Sequence, residues 1–250
     1  MEKLYIIKTG GNIIDDEAKL SSFLKSFAEI EGKKILVHGG GKLATQLAER
    51  LNIPQQMVEG RRITDAETLK IVIMVYAGYI NKNIVAKLQA YNCNTIGLSG
   101  ADGNIILAHK RNHPTLDYGF VGDIDTVNVS LLKASLDSDL SVVIAPITAD
   151  RLGQLLNTNA DTIAQEVAQA LSSLYEVSLI YCFEKKGVLL DVDDDNSVIP
   201  VLDQTYYQEL KKTRQDTGTP KIFAGMIPKL DNAFAALNSG VRKVVIGKAE

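Results

Sequence analysis

The chain has 250 residues, 46% of them hydrophobic and 23% charged, with a formal net charge of −3. That length suffices for one large α/β domain or two closely joined lobes around a sizeable core, and no run approaches the roughly 20 consecutive apolar residues of a membrane span. Intermixed charges leave no basic stripe for a nucleic-acid backbone, and Cys93 and Cys182 stand far apart without metal-site spacing.

The opening apolar run is cut off by Lys8 and is too short for a signal peptide. With two isolated cysteines this points to a reduced, cytoplasmic protein. From there short apolar runs alternate with longer helical patterns, the pattern of a parallel sheet covered on both faces. Strand Leu4–Lys8 runs into Gly10-Gly11, helix Glu17–Glu31 follows, and strand Lys34–His38 runs into Gly39-Gly40-Gly41 and helix Lys42–Leu51. The helix expected at Asp65–Tyr91 is apolar on almost every side between Leu69 and Gly78 and needs partners all round, either in a central core or across a symmetric dimer. After strand Asn94–Leu98, two β-rich arms between Asn104 and Ile124 surround a polar tip with Pro114, which suggests a hairpin able to cover a substrate. Strand Ser141–Ile144, helix Ala160–Leu171, strand Ser178–Tyr181, helices Gln204–Thr213 and Met226–Ser239 and strand Lys243–Ile246 complete the βα order. The acidic run Asp191–Asn196 lacks the spaced Gly and closing Glu of a calcium loop and reads as a solvated hairpin tip.

Four stretches carry candidate chemistry. Gly10-Gly11 lets the backbone bend and bring its N–H groups close to an anion, with Lys8 as a mobile positive charge, although a glycine pair after a strand is also an ordinary tight turn. Gly39-Gly40-Gly41 is the stronger signal, since three residues without side chains are costly unless something approaches the backbone closely. Neither turn matches GxGxxG or GxxxxGK[ST], so a Rossmann dinucleotide site and a Walker loop are both unsupported. Asn157, Asn159 and Asp161 alternate into a helix start, more than a cap requires. Lys229 sits near the start of the last long helix, where a solvated lysine is the plain alternative.

Taken together, Lys8-Thr9-Gly10-Gly11, Val37-His38-Gly39-Gly40-Gly41, Gly60-Arg61-Arg62-Ile63-Thr64, Asn157-Thr158-Asn159-Ala160-Asp161 and Gly225-Met226-Ile227-Pro228-Lys229 resemble the N-acetylglutamate kinases of the amino acid kinase family. The resemblance implies a single domain over residues 1–250, a three-layer α/β/α sandwich with a central, mainly parallel sheet. Residues 1–171 would form the lobe for the acyl amino acid and residues 172–250 the ATP lobe. It further implies transfer of the γ-phosphoryl group of ATP to the side-chain carboxylate of an N-acylated glutamate, a step of arginine biosynthesis. Phosphoryl transfer needs positioning and charge neutralisation, and a carboxylate is already a nucleophile, so no catalytic base is required.

In those terms Lys8 lies along the transferring group, Lys229 faces the β-phosphate side, and the N–H groups of Gly11 and Gly40 form an anion hole. Asp161 holds both lysines, and Gly10 and Gly187 join the nucleotide side. Arg62 grips the α-carboxylate, while Asn157, Gly40 and Gly41 hold the acyl-amino portion. Mg2+ accompanies ATP, held mainly by phosphates and water.

Three features depart from the family pattern. Around Tyr181–Val188, Gly187 and Glu184 match the usual nucleotide-side turn, whereas Phe183, Lys185 and Lys186 do not. The tip His109-Lys110-Arg111-Asn112-His113 is more basic than an acetyl substrate needs, and is either a solvated loop or a partner for a longer anionic acyl group such as succinyl. Lys8 follows only seven residues, without the N-terminal helix of arginine-inhibited members, which implies an arginine-insensitive homodimer with Asp65–Tyr91 in its interface. Carbamate, glutamate or aspartate kinases of the same family, a passive nucleotide sensor and a dinucleotide oxidoreductase are the alternatives, the last disfavoured by the missing GxGxxG.

Overall fold

The computed structural model describes all residues except 59–60, 184, 192–193, 218–225 and 250, and for 212–217 and 228 the backbone alone. In chain order the elements are β1 (Lys3–Thr9), α1 (Gly11–Ile14), α2 (Glu17–Glu29), β2 (Lys33–His38), α3 (Gly41–Arg50), the short pair β3 (Met57–Val58) and β4 (Arg61–Arg62), and α4 (Ala66–Ala90). There follow β5 (Thr95–Ser99), β6 (Ile106–Lys110), β7 (Gly122–Val127), α5 (Val129–Asp137), β8 (Ser141–Ala145), β9 (Ile147–Ala149), β10 (Leu155–Asn157) and α6 (Ala160–Leu171). The chain closes with β11 (Glu176–Phe183), α7 (Gln204–Thr217), α8 (Ile227–Asn238) and β12 (Lys243–Lys248).

Six strands form one parallel sheet in the order β12-β11-β1-β2-β8-β5. They are the six expected from the apolar runs. Alternation along each strand divides the core in two. Leu4, Ile6, Ile35, Val37, Val142 and Ile144 pack with α5, α6 and α8 on one face, while Ile7, Leu36 and Val143 pack with α2, α3 and α4 on the other. This is the expected three-layer sandwich, and the sheet runs unbroken across residue 171, with β11 beside β1 and β12 beyond it.

Register fixes the level at which the glycine turns leave the sheet. Thr9 pairs with both Cys182 and His38, so β1, β2 and β11 end side by side. Both turns therefore open at the carboxyl edge, where ligands of open α/β sheets gather. The expected hairpin is also present, as β6 and β7 with a bulge between Leu107 and Ala108. It belongs to a second, four-stranded sheet, β10-β9-β6-β7. Strands β9 and β10 and helix α5 were not expected from the sequence. Each strand has only three residues, and α5 has nine, started by the Asn128 side chain accepting from Ser130 N at 3.1 Å.

The long helix α4 is capped by Asp65, whose side chain accepts from Thr68 N at 2.7 Å. It widens to π-helical geometry over Ile73–Ile80. Among the described residues it is the helix long and apolar enough to cross a membrane by length and composition, a property that the count of consecutive apolar residues did not register. Its apolar side chains Leu69, Val72, Tyr76, Ile80, Ile84 and Leu88 pack into the core.

Candidate active site

The two glycine turns meet. Gly39 N–H donates to Thr9 O at 3.1 Å, and a Cβ on Gly39 would lie 3.7 Å from Thr9 O and 3.8 Å from Gly11 N. Gly40 has φ of +149° and a Cβ there would land 2.2 Å from Ile80 Cδ1 and 3.2 Å from the Tyr76 ring. At that φ any L side chain is strained, so the second turn favours glycine here. Each turn opens a helix, α1 or α3, and first-turn N–H groups have no partner within their own helix.

Beside the turns stands a three-residue charge cluster. Lys8 Nζ lies 2.7 Å from Asp161 Oδ1, and Lys229 Nζ donates to Asp161 Oδ2. Lys8 reaches in from the end of β1, Lys229 from the first turn of α8, and Asp161 from the first turn of α6. The side chain of Asn159 caps α6, accepting from Asp161 N at 2.8 Å and Thr162 N at 3.1 Å, and Tyr181 Oη donates to Asp161 O at 3.3 Å. Burial alone would raise the Asp161 carboxyl, but the charges of Lys8 and Lys229 outweigh it and hold the group at about 2. Burial, then the neighbouring Lys8, draw Lys229 below the ordinary lysine range, with Asp161 opposing them. The result is a carboxylate ionised at neutral pH that clamps two cations near a pair of glycine turns.

Next to the turns lies an open cleft of about 170 Å³, lined in part by Gly40, Gly41, Arg62, Arg111, Asn157 and Pro146. Arg62 is buried and fully oriented by protein acceptors. Its Nη2 donates to Gly41 O and Thr45 Oγ1, both at 2.8 Å, and its Nη1 donates to Gln55. Asn157 Nδ2 donates to Thr64 Oγ1 at 3.0 Å, which turns the amide along the cleft wall instead of into a helix cap. The structure thus brings Gly10, Gly11, Gly40, Gly41, Lys8, Arg62, Asn157, Asp161 and Lys229 to one edge of the sheet.

Across residues 3–248 the chain matches the model of the amino acid kinase family. The chain belongs to the amino acid kinase family. A protein of Cytophaga hutchinsonii named acetylglutamate kinase is 57% identical over the full chain, which covers 93% of that relative. The acetylglutamate kinase of Phocaeicola vulgatus is 55% identical over 98% of the chain and 93% of the relative. Among solved structures, smu.665 of Streptococcus mutans UA159 superposes with a TM-score of 0.79 at 27% identity, over 98% of this chain and 94% of that one.

Other sequence-derived expectations resolve differently from this family core. Gly187 lies beyond β11, where a Cβ would meet Val198 Cγ1 at 3.0 Å and Ile246 O at 3.7 Å. Gly60, Glu184 and Gly225, also singled out by the family motifs, lie outside the described residues. The basic hairpin tip is largely neutralised from within. His109 pairs with Asp125 at 2.6 Å, Lys110 with Asp117 at 3.2 Å, and Arg111 chelates Asp123 through Nε and Nη2. Tyr76 and Ile80 touch or line the site without having been singled out for it, and Arg111 of the basic hairpin tip lines it as well. The π-helical turn that delivers Tyr76 and Ile80 has no sequence period to announce it.

Proposed function

We infer that the protein transfers the γ-phosphoryl group of ATP to the side-chain carboxylate of N-acetyl-L-glutamate, forming an acyl phosphate and ADP. The observation that carries this reading is the Lys8–Asp161–Lys229 cluster at the mouth of two glycine turns in a chain 57% identical to an acetylglutamate kinase. The relatives at 51–57% identity bear that name, which favours N-acetylglutamate over N-succinylglutamate and over the carbamate, glutamate and aspartate kinase activities. The product belongs to arginine biosynthesis.

A carboxylate oxygen of the acceptor attacks the γ-phosphorus, and the bond from that phosphorus to the β–γ bridging oxygen breaks. No proton moves. The attacking group needs no base, so the protein supplies geometry and charge. Lys8 neutralises the transferring group, Lys229 the charge growing on the β-phosphate, and Gly11 and Gly40 N–H donate to the equatorial oxygens. Asp161 holds the two lysines apart at a fixed span. Arg62 takes the α-carboxylate, and Asn157 with Gly41 takes the acyl-amino portion.

Among the described residues no three His, Cys, Asp or Glu side chains gather as a metal cage, and Asp161 is engaged by two lysines. Mg2+ would therefore arrive on ATP and be held by phosphate oxygens and water. Residues 1–171 serve the acceptor, and residues 172–250, including Gly187 and Lys229, serve ATP. The protein acts in the cytoplasm and as a homodimer, the dimer alone drawing support from the exposed Met74 (53%) and Tyr79 (66%) on α4. A coupled ADP-release assay with MgATP decides the reaction. ADP formation that depends on N-acetyl-L-glutamate is expected. Equal or faster turnover of N-succinyl-L-glutamate, carbamate, glutamate or aspartate would overturn the acceptor assignment.

A further inference from the structure

His38 and Asn81 are both buried, at 0% and 1% exposure, yet the reaction as derived uses neither. His38 Nδ1 is 2.8 Å from Gly39 O, and Asn81 Nδ2 lies 3.3 Å from His38 Nε2 and 3.1 Å from Val143 O. A carbonyl only accepts, so Nδ1 carries the proton. Nε2 then accepts from the Asn81 amide, whose two hydrogens are shared between His38 and Val143. Burial lowers the His38 imidazole to about 4 and keeps this neutral form at physiological pH.

What this pair holds is the peptide between Gly39 and Gly40. In a planar trans peptide the N–H points opposite to the C=O. A Gly39 carbonyl fastened to His38 therefore sets the direction of Gly40 N–H. The other side of Gly39 is pinned too, by its own N–H on Thr9 O. Glycines flank this peptide on both sides, so without an anchor it turns over at little conformational cost. The feature that admits a phosphoryl group to the backbone is also the feature that would let the donor wander.

Asn81 is placed just as tightly. It follows the π-helical turn Ile73–Ile80, and a Cβ at Gly97 on β5 would fall 2.1 Å from its Oδ1. Lys82 Nζ donates to that Oδ1 at 3.1 Å and to Gly97 O at 2.8 Å. A π-turn inside a long helix is a recurrent mark of function. Here it sets Tyr76 and Ile80 against Gly40 and Asn81 against His38.

We propose that His38, oriented by Asn81, is a positioning residue that aims Gly40 N–H at the phosphoryl group in flight. The proposal rests on the reading that Gly40 donates to that group. His38→Asn and His38→Gln separate it from a merely structural role. Asparagine restores a donor near the Nδ1 position but is smaller and loses Asn81. Glutamine fills more of the space and keeps a partner for Asn81, yet offers no donor to Gly39 O.

With saturating MgATP and N-acetyl-L-glutamate, H38Q should lower kcat about 30-fold with KM for both substrates within about threefold, below the 10²–10³ lost when an oxyanion donor is deleted outright. H38N should recover at least about tenfold of that loss although its melting temperature is the lower of the two. A kcat order that follows the melting temperatures, or H38Q within threefold of the parent protein, would overturn the proposal. Lys8→Ala run alongside keeps the two readings apart. If it loses kcat while H38Q does not, only the role of His38 falls. If neither loses kcat, the placement of the reaction at these turns falls as well. In the unmodified protein, long-range 1H–15N correlation spectra should show His38 neutral and protonated at Nδ1, and an Nε2-protonated ring would equally refute the proposal.

Discussion

At the scale of single residues, Asp161 does the most with the least chemistry. Its folded-state value of about 2 lies below the ordinary 3.8. The carboxylate therefore contributes its full share of stability above about pH 4, a share lost as the pH falls toward 2. Activity should show no acid limb from Asp161 above about pH 5, the ordinary carboxyl range being its ceiling. On the proposed mechanism an alkaline limb is expected from Lys229, already drawn below 10.5. Asp161→Asn removes the anion that opposes this drift, so the kcat profile should lose its high-pH side at lower pH than in the parent protein, besides a fall in kcat of about 10² or more. An unchanged alkaline limb in D161N would refute the assignment. Arg62→Ala should raise KM for N-acetyl-L-glutamate and leave KM for ATP unchanged, while Lys8→Ala should act mainly on kcat. Steady-state kinetics with each substrate varied reads both.

Among elements, the close seating of α4 against the second glycine turn is the feature most open to attack. Gly40→Ala forces a side chain into φ of +149° and into Ile80, and the backbone term alone costs about 1–3 kcal/mol. Its melting temperature and kcat should fall together. Gly97→Ala drives a methyl into Asn81 from the opposite side, at 2.1 Å from Oδ1 and 2.8 Å from Val85 Cγ2. Overpacking of that kind costs about 1–3 kcal/mol, read by thermal unfolding. The six parallel strands were legible as short apolar runs between turn signals, and in β1, β2 and β8 that run is buried on both faces. The three-residue β9 and β10 were not, since pairing with the hairpin, more than their composition, defines them. Lys8, Asp161 and Lys229 were legible through their motifs. The hold of Asn81 on His38 was not, because a π-turn rotates α4 out of the 3.6-residue period on which a helix-face reading depends.

For the whole molecule, the exposed Met74 and Tyr79 on α4 lead to a concrete expectation. Light scattering on the eluting protein should give twice the 27.2 kDa chain mass, and Met74→Glu with Tyr79→Glu should halve it. A hexameric mass would refute the dimer. The order β12-β11-β1-β2-β8-β5 has a different consequence, for the time before the molecule is complete. The first strand described here, β1, is an interior strand whose second neighbour, Glu176–Phe183, lies far downstream and is made late. Until then the nascent chain displays an open strand edge, a natural point for chaperone attention. Lys229 is made later still, so the Lys8–Asp161–Lys229 cluster can close only after most of the chain described here has been synthesised.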